Sequence, residues 1–244
     1  MKKTVDSDRP SWKDLRKYYD PALHDTDQRS KRAKRHRKAL IDAGVWNSPP
    51  MRILDVGCGS GYLLDEFGID ASQRVGCDIR RDIYLQANIK KKNNILFIQT
   101  DAAKLPFHRD YFDLVICLAV IEEFPDWQKA LEEMACCVSP GGLLYLTVTN
   151  GITLLPIYTL LSKIGLHISP ASLEYAKASI SIMQEDPGDG FGLSSLKGWT
   201  FFNITPYLAY NQFSIFRLIP IGLLNRLMSC LSPSLGYAWR RPES

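Results

Sequence analysis

The chain has 244 residues, 45% of them hydrophobic, and a formal net charge of +4. A chain of this length and composition can bury a full core, which favours a single α/β domain with additions over two domains. It contains no run of 18 or more uncharged apolar residues, so we expect no membrane-spanning helix.

The N-terminus and the cysteines indicate the compartment. The first eight residues lead into polar sequence rather than an apolar segment, so we expect no secretory signal. The six cysteines form no CxxC pair, and three of them lie in or beside predicted buried strands. We interpret them as small core residues of a protein in a reducing cytoplasm, rather than as disulfides or zinc ligands.

Helices and strands are predicted to alternate through the first 150 residues. The predicted helices are 11–20, 28–44, 61–67, 80–91 and 127–138, the last of them stopped by the Ser-Pro-Gly-Gly sequence of residues 139–142. The predicted strands are 51–56, 74–78, 95–99, 112–117 and 143–149. This alternation predicts a mostly parallel sheet with helices on both faces, and strands rich in Val, Ile and Leu suit its buried centre.

After Asn150 the pattern changes. Residues 151–168 are apolar but interrupted by proline, lysine and glycine, and residues 185–198 are rich in glycine and predict a loop. Beyond them we predict a helix at 205–211 and strands at 213–218 and 236–240.

Positive charge is concentrated near the N-terminus. Residues 1–50 hold 13 Lys and Arg against 7 Asp, whereas the remainder holds 17 against 19 acidic residues. The centre of this charge is residues 29–38, which on one interpretation bind nucleic acid or an anionic membrane. We favour a solvated helix whose narrow stripe of Ala33, Leu40 and Ala43 packs on the core. Binding of an anionic substrate group is a third interpretation.

A glycine-rich loop follows the first predicted strand. Asp55 lies at the end of that strand, and Gly57, Gly59 and Gly61 occupy three of five consecutive positions. Glycines let the chain turn sharply after a buried strand and bring backbone N–H groups against a ligand. The loop therefore predicts a ligand-binding site at the end of the strand.

A second acid specifies the kind of ligand. Asp78 ends the next strand, 17 residues after Gly61, where a carboxylate can bind a pair of ribose hydroxyls. The two features together predict a site for an adenosine-containing cofactor. A dinucleotide is disfavoured, because Tyr62 stands where the G-x-G-x-x-G fingerprint requires its third glycine.

The form D-x-G-x-G-x-G resembles motif I of the class I S-adenosylmethionine-dependent methyltransferases. The resemblance covers residues 51–150, in which the segments 97–107, 112–126 and 131–150 follow the later motifs of that family in order and at its usual spacing. A single glycine loop would be weak evidence, whereas four ordered blocks are specific.

The resemblance implies S-adenosyl-L-methionine as the cofactor and assigns residues to it. Asp78 is expected to bind the ribose and Ile79 to lie on the adenine. Asp55 could instead cap the turn, and Asp101 could cap a loop. The implied cofactor-binding residues are Asp55, Gly57, Cys58, Gly59, Gly61, Asp78, Ile79, Asp101, Ala102 and Leu118.

The segment from Val120 to Asp126 resembles the V-L-E-H-[LV]-P-D segment of the small-molecule branch, with Glu123 in place of the usual histidine. A carboxylate there could act as a base if burial raised its pKa, or could hold a divalent cation with Glu122. The alternative is that both glutamates begin a helix, where acids are favoured by the dipole. Glu123 and Glu122 are therefore candidate catalytic residues, and no metal site is assigned.

The acceptor is indicated only by branch and by composition. No N-P-P-Y-like sequence follows the fourth strand, which disfavours methylation of nucleobases or glutamine. The branch suggests a small metabolite, quinone precursor, sugar or lipid-linked acceptor. Apolar residues at helix-compatible spacing, including Phe201 and Phe202, are interpreted as core and lid, with a peripheral membrane contact as the alternative.

We therefore expect an α/β, Rossmann-like, doubly wound fold with a mostly parallel seven-stranded sheet, which the resemblance completes with a C-terminal antiparallel hairpin formed by 213–218 and 236–240. The expected single domain has a helical cap at 1–50, a cofactor-binding core at 51–150, a lid at 151–200 and a sheet completion at 201–244. We expect a cytoplasmic methyltransferase that acts on a small or lipid-linked molecule. The alternatives are an RNA methyltransferase that uses the basic helix, or a non-catalytic S-adenosylmethionine-binding module.

Overall fold

A seven-stranded sheet organises the computed structural model, which describes residues 26–46, 48–68, 70–81, 95–151, 200–205 and 234–243 and five isolated positions between 156 and 177. The strands are β1 (Arg52–Val56), β2 (Gln73–Asp78), β3 (Ile95–Gln99), β4 (Phe112–Leu118), β5 (Val138–Thr149), β6 (Thr200–Asn203) and β7 (Ser234–Arg240). Their order is β3-β2-β1-β4-β5-β7-β6. Strands β1 to β5 are parallel, and β7 is antiparallel to both β5 and β6. The expected fold class is confirmed.

Helices cover both faces of this sheet. The described helices are α1 (Thr26–Asp42), α2 (Tyr62–Phe67) and α3 (Trp127–Cys137), with 3-10 turns at Ala102–Lys104 and Ile121–Glu123. Helices α1 and α2 pack on one face, and α3 packs on the other. The predicted helix at 11–20 and nearly all of the one at 80–91 lie outside the described residues.

Strand β4 shows why the middle of a central strand is apolar on both faces. Its alternate residues Leu114 and Ile116 pack toward α1 and α2, whereas Val115 and Cys117 pack toward α3. Successive side chains of a strand point to opposite faces, so a strand covered on both sides needs apolar residues at every position. The consequence is a fully buried centre on which the loops at the carboxyl ends of the strands are supported.

Helix α1 packs on the core through the predicted stripe. Ala33 and Leu40 are fully buried, and Ala43 is partly buried against the same cluster. The structure adds a polar contact that the stripe does not reveal, since Nδ1 of the buried His36 lies 2.7 Å from the Tyr145 hydroxyl of β5. The prediction that this helix covers the core is confirmed.

The C-terminal strands differ from the prediction in one respect. The final strand is confirmed and begins at Ser234, but its neighbours are β5 and β6, so the hairpin predicted with 213–218 is wrong. Phe201 and Phe202 lie in β6 rather than in a helix-spaced apolar segment. Two consecutive aromatic residues after Thr200 suit a short strand, and this local preference outweighs a loose helical spacing. Residues 213–218 themselves lie outside the described residues.

Strand β5 also begins earlier than predicted, at Val138 rather than at residue 143. Its register against β4 shifts, because Phe112 pairs with Val138 whereas Leu114 pairs with Leu143. Gly141, which lies between Val138 and Leu143, has a φ of 72°. A glycine in the left-handed region is what a bulged strand accommodates. The Ser-Pro-Gly-Gly sequence therefore follows the end of α3 as predicted, but it forms the irregular first part of β5 instead of a loop.

Two further expectations concern organisation. Within the described part of the chain, no helix combines the length and apolar character that crossing a bilayer requires. The division into a cap, a core, a lid and a sheet completion stays a prediction, because the segment assigned to the lid lies almost entirely outside the described residues.

Candidate functional site

The candidate site lies at the carboxyl edge of the sheet, where the parallel strands end and the glycine loop follows β1. Gly57, Gly59 and Gly61 have φ values of 74°, 51° and 73°. Glycine adopts this left-handed backbone readily and other residues do so at a cost, which accounts for three glycines in one loop. The N–H groups of Gly57 and Cys58 both donate to the Cys77 carbonyl, at 2.8 and 3.0 Å, and tie the loop to β2.

Close packing gives a second reason for glycine at two of these positions. A Cβ on Gly57 would lie 2.6 Å from Cγ1 of Val120, and a Cβ on Gly61 would lie 2.7 Å from Cζ of Phe97. Val120 belongs to the segment after β4, and Phe97 belongs to β3. The loop is therefore held between structures on both sides of it.

We expect Gly57→Ala to weaken S-adenosylhomocysteine binding about tenfold, because the backbone strain of a positive φ alone costs about 1 kcal/mol and the contact with Val120 adds to it. Calorimetry on the variant and on Gly57→Ala combined with Val120→Ala measures both parts. The double variant should regain part of the affinity and retain the strain cost. Unchanged affinity in the single variant would contradict this account of the loop.

Asp55 lies beneath the loop and is fully buried. Neither of its carboxylate oxygens has a hydrogen-bond partner among the described residues, so the structure does not support the alternative in which Asp55 caps the turn. Burial, and then the charge of Asp78, raises the pKa of Asp55 well above its ordinary value. A buried carboxylate without donors is costly, and a cationic group from a ligand would offset that cost.

Asp78 joins the loop to the end of β2. Its Oδ2 accepts from the N–H of Gly59 at 3.1 Å, and its Oδ1 accepts from the N–H of Arg80 at 2.9 Å. The predicted pair of acids is thus brought together at the glycine loop, with Asp78 on the outer side and Asp55 below. Asp78 supports the loop whether or not it also binds a ribose.

Cys58 fills space inside the loop. Its side chain is buried, and burial raises the pKa of its thiol well above the ordinary value, with the charges of Asp55 and Asp78 adding to the effect. Since the thiolate is the reactive form of cysteine, this thiol is not an activated nucleophile. Cys77 and Cys117 are likewise buried thiols in strands, as the sequence predicts, whereas Cys230 lies outside the described residues.

The remaining predicted cofactor residues border the same edge. Asp101 is exposed and accepts from the N–H of Ala103 at 2.9 Å, so it does cap the 3-10 turn, and Ala102 is buried beside it. Ile79 is 37% exposed just after β2, and Leu118 is buried at the end of β4. Contacts of these residues with a cofactor stay predictions.

Glu122 and Glu123 lie in the 3-10 turn after β4 and not in helix α3, so neither one begins a long helix. Glu122 is buried and accepts the N–H of Thr149, at the end of β5. Burial raises its pKa, while the hydrogen bonds from Thr149 act against that rise. The side chain of Glu123 is exposed. Among the described residues, no group of three or more metal-ligating side chains occurs.

Two features of this edge are not predicted by the sequence. Ala119, the first residue after β4, has a φ of 55°, and its N–H donates to the Thr147 carbonyl. A non-glycine residue in this conformation marks strain of the kind that clusters at functional sites, and no sequence signal announces it. Arg29 of helix α1 donates to Ser60 at 3.0 Å and lies over the Tyr62 ring, which brings the basic segment to the glycine loop.

The sequence around this site is similar to that of known methyltransferases. Residues 54–146 match the family model described as a methyltransferase domain. The chain is 29% identical over 130 residues to a ubiquinone/menaquinone biosynthesis C-methyltransferase of Vibrio parahaemolyticus, with half of each chain aligned. It is 30% identical over 105 residues to a ubiquinone biosynthesis O-methyltransferase of a Shewanella species, which aligns 41% of this chain and 44% of that protein. The chain thus matches about half the length of these curated relatives.

Solved structures agree on the fold. The plantazolicin methyltransferase BpumL, in complex with a triazolic desmethylPZN analog and SAH, aligns with a TM-score of 0.59 at 17% identity, covering 97% of this chain and 92% of that chain. The YcgJ protein from Bacillus subtilis aligns with a TM-score of 0.51 at 15% identity, covering 86% of this chain and all of that chain. At these identities the likeness supports the architecture alone.

Proposed function

Because the chain belongs to the class I S-adenosylmethionine-dependent methyltransferases, we propose that it transfers a methyl group from S-adenosyl-L-methionine to a small-molecule acceptor. The relatives named above act in ubiquinone biosynthesis or methylate plantazolicin, by their names. From these names we infer that the acceptor of this chain is a small organic molecule and not a macromolecule. We further propose that the acceptor is linked to a lipid.

The observation that carries the proposal is the buried, unpartnered carboxylate of Asp55 beneath the glycine loop. S-adenosylmethionine supplies an activated methyl group and carries an ammonium and a sulfonium, which are cations that suit such a carboxylate. The three positive-φ glycines leave their backbone bare of side chains, and Asp78 offers a second acid at the end of β2. The residues present therefore fit the cofactor.

The chain's own contribution would be binding and alignment. Methyl transfer from a sulfonium is a direct displacement, so the enzyme must hold the acceptor nucleophile in line and exclude water. The loop between β4 and α3, with the strained Ala119 at its start, lies at the edge where parallel-sheet enzymes bind ligands. Side chains of this loop, Glu123 among them, are our candidates for the acceptor side.

Two measurements test the proposal. Calorimetry should show that S-adenosylhomocysteine binds and that NAD binds more weakly or not at all. Incubation with methyl-labelled S-adenosylmethionine and fractionated cell extract should then label a small or lipid-soluble product. Tighter binding of NAD would overturn the cofactor. Binding without any transfer would favour the non-catalytic module, and labelling of RNA would favour the RNA methyltransferase.

The two glutamates are predicted to behave differently. Glu123→Gln should lower turnover while leaving S-adenosylhomocysteine affinity within about threefold, because it removes charge from the acceptor side only. If Glu123 is a base, the pH–rate profile of the variant should lose its acidic limb. Unchanged turnover would leave alignment alone to explain catalysis.

Glu122→Ala should instead lower the free energy of unfolding by about 1–3 kcal/mol, the cost of leaving the Thr149 N–H without its buried acceptor. Glu123→Ala is the matched control, because its exposed side chain should change stability by less than about 0.5 kcal/mol. Chemical denaturation of both variants makes the comparison. Equal losses would mean that the turn depends on Glu123 as much as on Glu122.

A further inference from the structure

Helix α1 runs from the carboxyl edge of the sheet toward the amino edge. Near its start, Arg29 donates to Ser60 of the glycine loop. Just past its end, the Val45 carbonyl accepts from Arg240, the last residue of β7. Because β7 is antiparallel to the central strands, its last residue lies at their amino edge. The basic first turns of α1 therefore lie at the edge where ligands bind.

The contact between His36 and Tyr145 fixes the register of the helix on the sheet. Four residues before His36, about 6 Å nearer the carboxyl edge, the helix places Arg32. Two residues beyond Tyr145, about 6.6 Å nearer the same edge and on the same face of β5, the strand places Thr147. Arg32 and Thr147 thus lie at a similar level above the end of the sheet.

Arg32 differs from two cations later in the helix, each of which has an acidic partner. Arg37 lies 3.7 Å from Glu66, and Lys38 lies 2.7 Å from Asp42. The guanidinium of Arg32 makes no hydrogen bond or ion pair within the described residues, although its side chain is partly buried. None of its guanidinium nitrogens is buried, so an anionic group of a ligand could reach them and accept their hydrogen bonds.

The positive charge of Arg32 acts on groups near the turn after β4, where the acceptor is proposed to bind. The charge acts on three buried groups, lowering the pKa of His36 and opposing the rise in pKa that burial causes at Tyr145 and Glu122. Glu122 is the acid in this group, and its carboxylate is directed to the N–H of Thr149. Arg32 is therefore within electrostatic range of both β5 and the turn after β4.

Thr147 is a second polar group without a partner here. It is fully buried, and its hydroxyl has no hydrogen-bond partner among the described residues. Buried hydroxyls are ordinarily hydrogen-bonded, and exceptions call for an explanation. The hydroxyl is covered in this structure, so a ligand oxygen would reach it only after the side chains that cover it move aside.

We propose that Arg32, with the Thr147 hydroxyl behind it, binds an anionic oxygen of the methyl acceptor, from either a carboxylate or a phosphate. The proposal rests on the proposed function and deepens it, because it names the chemical class of the acceptor. Arginine suits this task, since its planar fork matches both anions.

The position favours the acceptor over the carboxylate of the cofactor. The glycine loop follows β1, and Arg29 already lies against Ser60 there. Arg32 is three residues after Arg29 and four before His36, whose partner Tyr145 lies in β5, so it lies between the glycine loop and β5. Because β4 separates β5 from β1, a group bound on the β5 side of Arg32 is directed away from the loop that would hold the cofactor.

The test compares Arg32→Gln with Lys34→Gln, an exposed position on the opposite side of the same helix, so that each variant removes one charge from α1. Methyl-labelled S-adenosylmethionine and cell extract are incubated with each protein, and the products are divided by anion exchange. We expect the parent protein and Lys34→Gln to label an anionic product, and Arg32→Gln to label it at least tenfold less. All three should bind S-adenosylhomocysteine within threefold.

Thr147→Val keeps the shape and removes the hydroxyl. We expect it to be at least as stable as the parent protein in thermal unfolding, because an unpartnered buried hydroxyl is lost, and to label the anionic product at least threefold less. A merely structural threonine would not show this combination. As a readout besides turnover, inorganic phosphate titrated into the protein saturated with S-adenosylhomocysteine should bind Arg32→Gln at least fivefold more weakly than Lys34→Gln.

Each other outcome overturns the assignment. A neutral labelled product, or equal labelling and phosphate affinity in Arg32→Gln and Lys34→Gln, would exclude an anion site at Arg32. Weakened S-adenosylhomocysteine binding in Arg32→Gln would give Arg32 to the cofactor instead. Absence of any labelled product from the parent protein, with the cofactor bound, would refute the proposed function, and the proposal about Arg32 would fall with it.

Discussion

Asp78→Ala should weaken S-adenosylhomocysteine binding by about 1.5–3 kcal/mol, roughly 10- to 150-fold in Kd. The carboxylate accepts the Gly59 N–H within the loop, and the proposed function adds ribose hydroxyls to its partners. Removing it would therefore loosen the loop and remove ligand contacts together. Calorimetry with the purified variant measures the loss.

Asp113→Ala is the matched control for that experiment. Asp113 also accepts two backbone N–H groups, those of Met51 and Arg52, but it does so at the amino edge of the sheet. Both substitutions should lower stability, whereas only Asp78→Ala should weaken the ligand. Similar losses of affinity in the two variants would mean that general destabilisation, rather than the site, accounts for the effect.

The free energy of unfolding should fall on acidification by up to about 1.4 kcal/mol per pH unit through His36, as the pH drops from 6.5 toward 3. Burial, followed by the charges of Arg32 and Arg35, lowers the pKa of His36 to about 3 in the folded protein. In the unfolded chain the ordinary value of 6.5 applies. Between these values the unfolded state binds a proton that the folded state does not, so acid favours unfolding.

Comparison of the parent protein with His36→Gln isolates the contribution of His36 to the pH dependence of the free energy of unfolding. Glutamine does not titrate, and its amide can still reach the Tyr145 hydroxyl. The raised pKa values of Asp55 and Glu122 act in the opposite direction, because these groups bind protons more readily when folded, and they contribute equally to both proteins. Denaturant unfolding between pH 7 and pH 4 should show a steeper loss in the parent protein. Parallel curves would place the histidine in contact with solvent.

Local pattern was enough to predict the centre of the molecule. The two-sided apolar sequence of β4 predicts a buried parallel strand, and the spacing of Ala33 and Leu40 predicts the packed face of α1, because each depends on a repeat within one element. The glycine positions also follow from a local requirement, the positive φ values of the loop.

What sequence could not predict depends on register between distant elements. The contact of His36 with Tyr145 and the strained backbone of Ala119 exist only once α1, β4 and β5 are assembled. The same limit applies to β6, whose four residues gain their pairing from β7. Glu122 and Glu123 show this limit most clearly. The two residues are adjacent and identical, yet Glu122 is buried and hydrogen-bonded whereas Glu123 is exposed.

The position of β7 between β5 and β6 has a consequence for synthesis on the ribosome. Strand β5 is complete at Thr149, but the strand that pairs with its outer side begins only at Ser234. At translation rates of about 5–20 residues per second, the outer edge of β5 stays unpaired for on the order of 10 s until β7 has been synthesised. An unpaired strand edge can template pairing with other chains. Nascent chains of this protein therefore pass through an interval in which they depend on dilution or on chaperones to stay apart.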